Sequence, residues 1–127
     1  MPHVIVEYTS NLDHSMDVQA LCNALHQAMI DSGHAPLEGI RTRAVRLENY
    51  CVADRNPENA FVHIVVRMRE GRPKEAYQKV GEMIMAAAEK SLEKTLQKHP
   101  MQLALEMHEI TQLTFRRDTI RKAEKAA

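Results

Sequence analysis

The sequence predicts an α+β fold: a four-stranded sheet with two helices on one face, made of two fused β-α-β units. Three observations lead there. Short β-branched runs alternate with longer stretches whose apolar residues recur at helical spacing. The order strand, helix, strand occurs twice, over residues 1–50 and 58–112, as a repeat of pattern with slight identity of letters. A length of 127 residues suits one modest core, so residues 1–127 read as a single domain with a C-terminal tail at 113–127.

The first unit opens on HVIVEY (His3–Tyr8), a β-branched strand. TSNLDHS is turn-rich. Ser15 reads as the N-cap of the next helix, with Asp17 complementing the helix dipole in its first turn. Met16, Ala20, Leu21, Ala24, Leu25, Ala28 and Met29 then follow helical spacing, and Gly33 suits the C-terminal stop. LEGIRTRAVRLENY reads as the second strand, with Ile40, Thr42 and Ala44 on one face. Arg41, Arg43 and Val45 fall on the other, and Arg46 turns back. Cys51 then sits at a strand end.

ADRNPEN (Ala53–Asn59) is a loop by composition. AFVHIVVRM (Ala60–Met68) is nearly all apolar, as a central strand requires. REGRP ends it, and Pro73 fits the first position of a helix. Val80, Met83, Ile84, Ala87, Ala88, Ser91 and Leu92 mark a long amphipathic helix that must stop before Pro100. MQLALEMHEI (Met101–Ile110) alternates with period two, as a half-buried strand does. The tail beyond it is basic and helix-permissive. Each helix is expected to be a right-handed crossover between parallel strands. With both helices on one side, the other face of the sheet is bare, which calls for oligomerisation.

Lys plus Arg balance Asp plus Glu at 17 each, which argues against nucleic-acid or membrane-surface binding driven by charge. Aromatics make up 4% and Trp is absent, so a base-stacking platform has little to build on. The start lacks a basic stretch leading into an apolar one, and no apolar run approaches the ~18–20 residues that span a bilayer. A cytoplasmic protein is the expectation, with no nucleic-acid and no membrane partner. Cys22 and Cys51 form no CxxC pair and read as reduced thiols. The seven histidines form no HxH or HExxH spacing, so no metal site is expected. His3 and His63 occupy comparable strand positions and read as core or interface histidines.

Pro2 admits two readings. A small second residue lets the initiator methionine be trimmed, and that suffices to explain it. Trimming also leaves a free secondary amine on a rigid strand. Nearby cations and an apolar pocket both disfavour the protonated form of such an amine, giving a neutral base near pH 7. Arg41, Arg43 and Arg46 are either surface charge or a bidentate clamp for carboxylates. Arg72, in EGRP at a helix entry, sits where backbone N–H groups and the helix dipole favour an anion.

Four stretches, MPHVIVEYTSN, PLEGIRTRAV (36–45), AFVHIVVRMREGR (60–72) and GEMI (81–84), resemble the 5-carboxymethyl-2-hydroxymuconate isomerase family of the tautomerase superfamily. The likeness keeps order and spacing over most of residues 2–112. It implies a homotrimer, which would cover the bare sheet face, and an amino-terminal proline, here Pro2, as catalytic base. It also implies that Arg41 and Arg72 bind the carboxylates of a small polycarboxylate substrate at a site between subunits. The implied reaction is a cofactor-free proton transfer in bacterial breakdown of homoprotocatechuate. Other activities on such a scaffold are general keto–enol tautomerisation, decarboxylation and dehalogenation, or non-enzymatic binding.

Overall fold

The computed structural model describes residues 1–122. Its strands are β1 (His3–Thr9), β2 (Arg41–Leu47), β3 (Ala60–Arg69) and β4 (Met101–Ile110). Helix α1 (Val18–Ser32) joins β1 to β2, and α2 (Lys74–Ser91) with the short α3 (Glu93–Lys98) joins β3 to β4. The sheet order is β2-β1-β3-β4. Within each half the strands are parallel, as expected, and β1 meets β3 antiparallel at the centre.

Burial alternates along the two central strands. Val4, Val6 and Tyr8 of β1 and Val62, Ile64, Val66 and Met68 of β3 face the helices. Leu21, Leu25 and Met29 of α1 and Val80, Ile84 and Ala88 of α2 close over them. Fully burying such a side chain stabilises by roughly 1.5–3 kcal/mol, so this one layer carries most of the driving force. At Gly81, α2 packs against β4: a Cβ there would stand 3.4 Å from Met107 Sδ. The opposite face, with His3, Ile5, Glu7 and Val65, is partly open, and Val45 is 44% exposed. The expected bare face is therefore present, and both His3 and His63 lie on it. His3 Nδ1 is 3.0 Å from Arg43 and His63 Nε2 is 2.7 Å from Glu106.

Several local expectations are corrected. The N-cap of α1 is Asp17, whose carboxylate accepts from the Ala20 N–H at 3.0 Å. Ser15 is held in the preceding turn instead. Its hydroxyl pairs with His99 Nε2, and its carbonyl accepts from Thr95 Oγ1 at 2.8 Å. Gly33 caps the helix in the left-handed region at φ 73°, where a side chain would be strained. Leu37–Gly39 forms a 3-10 turn before β2, which ends at Leu47, so Cys51 lies in the following loop and not at a strand end. Pro73 is the N-cap of α2 with extended backbone, one residue before the first helical position. The second helix breaks at Leu92, which leaves the helical region at ψ 14° before α3 resumes. Residues 113–122 of the tail form no helix: few of their apolar side chains find a surface, with Leu113 83% and Phe115 92% exposed. Residues 123–127 lie outside the described residues. Among the described residues, no helix is long and apolar enough to cross a membrane.

Candidate active site

Strand polarity alone gathers distant residues at one edge of the sheet. β1 and β2 are parallel, so their starts lie together, with His3 beside Arg41. β1 and β3 are antiparallel, so the start of β1 also meets the end of β3, with His3 beside Arg67. β3 and β4 are parallel, so β4 ends there too, with Arg69 beside Ile110. The entry to α2 and the C-terminal tail leave from this same edge. Residues 2, 41, 69, 72 and the segment after 110 are brought together by topology.

Pro2 is buried, and its carbonyl accepts from the Arg41 N–H at 3.0 Å, which extends the β1–β2 ladder by one bond. Gly39 lies under it: a Cβ on Gly39 would be 3.4 Å from Pro2 Cδ and 3.7 Å from Met1 Cα. A larger side chain there would press on the proline ring. Met1 projects from this cradle between two clefts. One, of about 130 Å³, is lined by Met1, His3, Arg67, Arg69, Ile110 and Arg116 among others. The other, of about 240 Å³, is lined by Met1, Gly39, Arg69, Arg72, Arg116 and Asp118 among others. Met1, Arg69 and Arg116 border both.

The electrostatics follow from those neighbours. Burial lowers the pKa of the terminal amine below the usual value, and the guanidinium groups of Arg116, Arg69, Arg72 and Arg41 lower it further, in that order. Each effect penalises the protonated amine. His3 is lowered for the same reasons, by burial first and then by Arg43 and Arg67.

Arg72 is aimed by backbone. Gly71, at φ 103°, makes the turn that a residue with a Cβ would resist. The Arg72 guanidinium then donates to the carbonyl oxygens of Arg69 at 3.0 Å and His34 at 2.7 Å. Tyr77 locks the turn by accepting from the Arg72 N–H at 3.2 Å and donating to the Arg69 carbonyl at 2.7 Å. A guanidinium has five N–H donors, so these two bonds orient Arg72 and leave others for a ligand. Arg41 donates to the Glu38 and Ile40 carbonyls at 2.8 and 3.3 Å, and its Nη2 lies 3.8 Å from the Asp118 carboxylate.

Pro2, Arg41 and Arg72 thus share one edge, with Arg72 on the cleft wall. Arg43 belongs to the open sheet face with His3. Arg46 is at the far end, bonded to Asp13 at 2.7 Å and Glu48 at 2.8 Å. Burial raises the Cys22 thiol pKa, which keeps it protonated and unreactive, and Cys51 is exposed in the β2–β3 loop. Sequence reasoning missed Gly39, Arg69 and Arg116. Strand parity could have placed Arg69, since it shares a face with His63, Val65 and Arg67. No local signal marks Arg116.

The 5-carboxymethyl-2-hydroxymuconate isomerase family matches residues 2–123 of this chain. The chain belongs to that family. Within the 5-carboxymethyl-2-hydroxymuconate isomerase family it is 27% identical over 121 residues to the 5-carboxymethyl-2-hydroxymuconate Delta-isomerase of Escherichia coli, covering 94% of this chain and 96% of that protein. It superposes on the 5-carboxymethyl-2-hydroxymuconate isomerase of Deinococcus radiodurans R1 with a TM-score of 0.86 at 28% identity, covering 93% of this chain and 90% of that one. A fused 4-OT protein described as an asymmetric trimer shares the fold at a TM-score of 0.68 and 18% identity, with 90% of each chain covered.

Proposed function

We propose that this protein isomerises 5-carboxymethyl-2-hydroxymuconate, converting the dienol to the unsaturated ketone, with Pro2 as general base once Met1 has been removed. The observation that carries the reading is the position of the chain start: the peptide nitrogen of Pro2 joins it to a residue that borders two arginine-lined clefts. Removing Met1 converts that nitrogen from an amide, without a basic lone pair, into a secondary amine. The same edge burial and the same cations that lower the Met1 amine would act on the new amine, and both favour its neutral form.

In the reaction, the neutral Pro2 nitrogen accepts the 2-hydroxyl proton. The resulting charge delocalises along the conjugated chain, and a guanidinium stabilises the oxyanion that develops. Protonated Pro2 then returns the proton to C5. Arg41 and Arg72 hold carboxylates and set the face presented to Pro2. The step is a transfer of one proton, and it asks for no redox partner. Its place is the breakdown of an aromatic acid, in the cytoplasm.

The working unit is a homotrimer. The bare sheet face supports this, because Ile5, Val45 and Val65 lie on it among charged groups that suit a polar interface. Native intact-mass measurement tests both parts of the reading. The expected mass is three chains, each lighter by one methionine. A monomer would remove the trimer, and a fully retained Met1 in an active sample would remove Pro2 as base.

A further inference from the structure

We propose that His63, Glu106 and His108 on the open sheet face form a pH switch for subunit assembly, holding the subunits together while both histidines are neutral and releasing them once both are protonated. The inference rests on the trimer reading above and adds its regulation. Glu106 lies between the two rings. His63 Nε2 donates to one of its oxygens at 2.7 Å, and His108 Nε2 donates to the other at 3.0 Å. Among the described residues no group of three such side chains could hold a metal ion, so the proton is what this cluster can take up. In the single chain the side chains of His63, Glu106 and His108 are 35%, 50% and 51% exposed, and water solvates any charge they carry. A second copy laid on the face, over Ile5, Val45 and Val65, removes that water.

The charge of the face sets the direction. Its strands bring Glu7 from β1 and Glu106 from β4 against Arg41 and Arg43 from β2 and Arg67 and Arg69 from β3, with His3, His63 and His108 among them. At the Pro2 edge, Arg72, Arg116 and Lys122 meet Glu38 and Asp118. Cations already outnumber carboxylates, so each proton adds to a positive excess. Glu106 does not relieve this by neutralising itself, because hydrogen bonds from His63 and His108 hold its carboxyl below the usual carboxylate range. His3 feels the same surroundings: burial first, then Arg43 and Arg67, hold its pKa below the ordinary value. Covering the face imposes both penalties on a charged His63 or His108, and identical copies gain the charge together. A histidine harder to charge in the assembly than in the free chain favours assembly above about pH 6.5 and disfavours it as the pH falls below.

Sedimentation of the full chain at pH 7.5 and pH 5.5, with circular dichroism as the check on folding, tests the switch. The unmodified protein is expected to be assembled at pH 7.5 and to associate about tenfold or more weakly at pH 5.5, with its dichroism unchanged. The double variant His63→Gln, His108→Gln keeps an N–H donor on each side chain but takes up no proton, and it should stay assembled at both pH values. Equal association of the unmodified protein at the two pH values overturns the switch and leaves the trimer standing. So does a double variant that weakens as much as the unmodified chain, or a chain that unfolds at pH 5.5 instead of separating. A dimer at pH 7.5 that separates at pH 5.5 only when both histidines are present upholds the switch and removes the trimer. A monomer at both values removes both.

Discussion

The two ends of the sheet treat polar groups in opposite ways. At the end away from Pro2, where β1 and β2 finish and β3 and β4 begin, most polar groups are bonded to one another, although the buried Asn11 Oδ1 has no partner among the described residues. Asn11 donates to the Asn59 and Pro57 carbonyls at 2.8 and 3.2 Å, and Thr9 Oγ1 accepts from the Phe61 N–H at 3.1 Å. Asn59 in turn donates to Val52 and Asp54, and Thr95 reaches the Ser15 carbonyl. Arg46, the cation at that end expected to turn back from the strand face, has two carboxylate partners. At the Pro2 end, guanidinium groups gather; Asp118 lies 3.8 Å from Arg41, and Glu38 and Asp118 border the same cleft as Arg69, Arg72 and Arg116. A closed network spends its hydrogen bonds on the fold. A cluster of like charges left open is poorly compensated until an anion arrives. Function is thus read from the end with the less satisfied electrostatics.

Five substitutions would break or sharpen that contrast. The largest effect is expected at Pro2. Pro2→Ala should lower kcat by about 10²-fold or more, within the range for a general base, while the far-ultraviolet dichroism is unchanged. An unaltered rate would take the base assignment away.

Next come the two oriented arginines. Arg41→Ala and Arg72→Ala should each cost about 1.5–3 kcal/mol in kcat/KM, the scale of a hydrogen bond to a charged group. Steady-state kinetics with both variants decides this. If neither loses activity, the carboxylates are held elsewhere.

The far end should respond in the reverse manner. Thr95 is 2% exposed and donates to the Ser15 carbonyl. Thr95→Val should lower unfolding stability by about 1 kcal/mol, because the part-buried Ser15 carbonyl loses its partner. Urea titration reads this, and kcat/KM of the folded fraction should stay the same. A catalytic loss comparable to that of Arg72→Ala would erase the distinction between the ends.

The smallest effect is on pH dependence. Arg116 is the strongest charged contributor to the lowered pKa of the Met1 amine, and the Pro2 amine that trimming exposes one residue on would feel the same cation. Its removal lets the protonated amine become more favourable, so the pKa rises and less neutral base is present at low pH. Arg116→Gln should therefore move the acid limb of the kcat/KM profile to higher pH. A limb that stays in place, or moves lower, would show that the guanidinium does not act on the base.

Much of the fold was legible because it rests on local periodicity. β4 spans Met101–Ile110 as its alternation of apolar and polar residues predicted, and β3 is central as its apolar content required. The parallel pairing inside each half followed from crossover handedness. Caps were less legible. Ser15 and Asp17 are both good caps, and the choice fell to Asp17 because Ser15 is bonded to α3 and the residue after it, contacts about 80 residues away in sequence that no local pattern reports. The tail is helix-permissive in composition, yet its residues 113–122 form no helix and are exposed, since helix propensity without a surface to bury against is a weak prior.

By itself, then, the sequence determined the elements, the one-sided layering and the presence of a proline and two arginines suited to proton transfer on a carboxylate. Tertiary structure decided where they meet. The antiparallel join of β1 to β3 sets the end of one half beside the start of the other. That join brings Arg69 and Arg72 to Pro2, and the exit of β4 at the same edge brings Arg116. Periodicity in a chain reports which face each residue takes, because that depends on neighbours two to four positions away. Which strand ends adjoin depends on pairing between segments dozens of residues apart, and only the folded sheet specifies it.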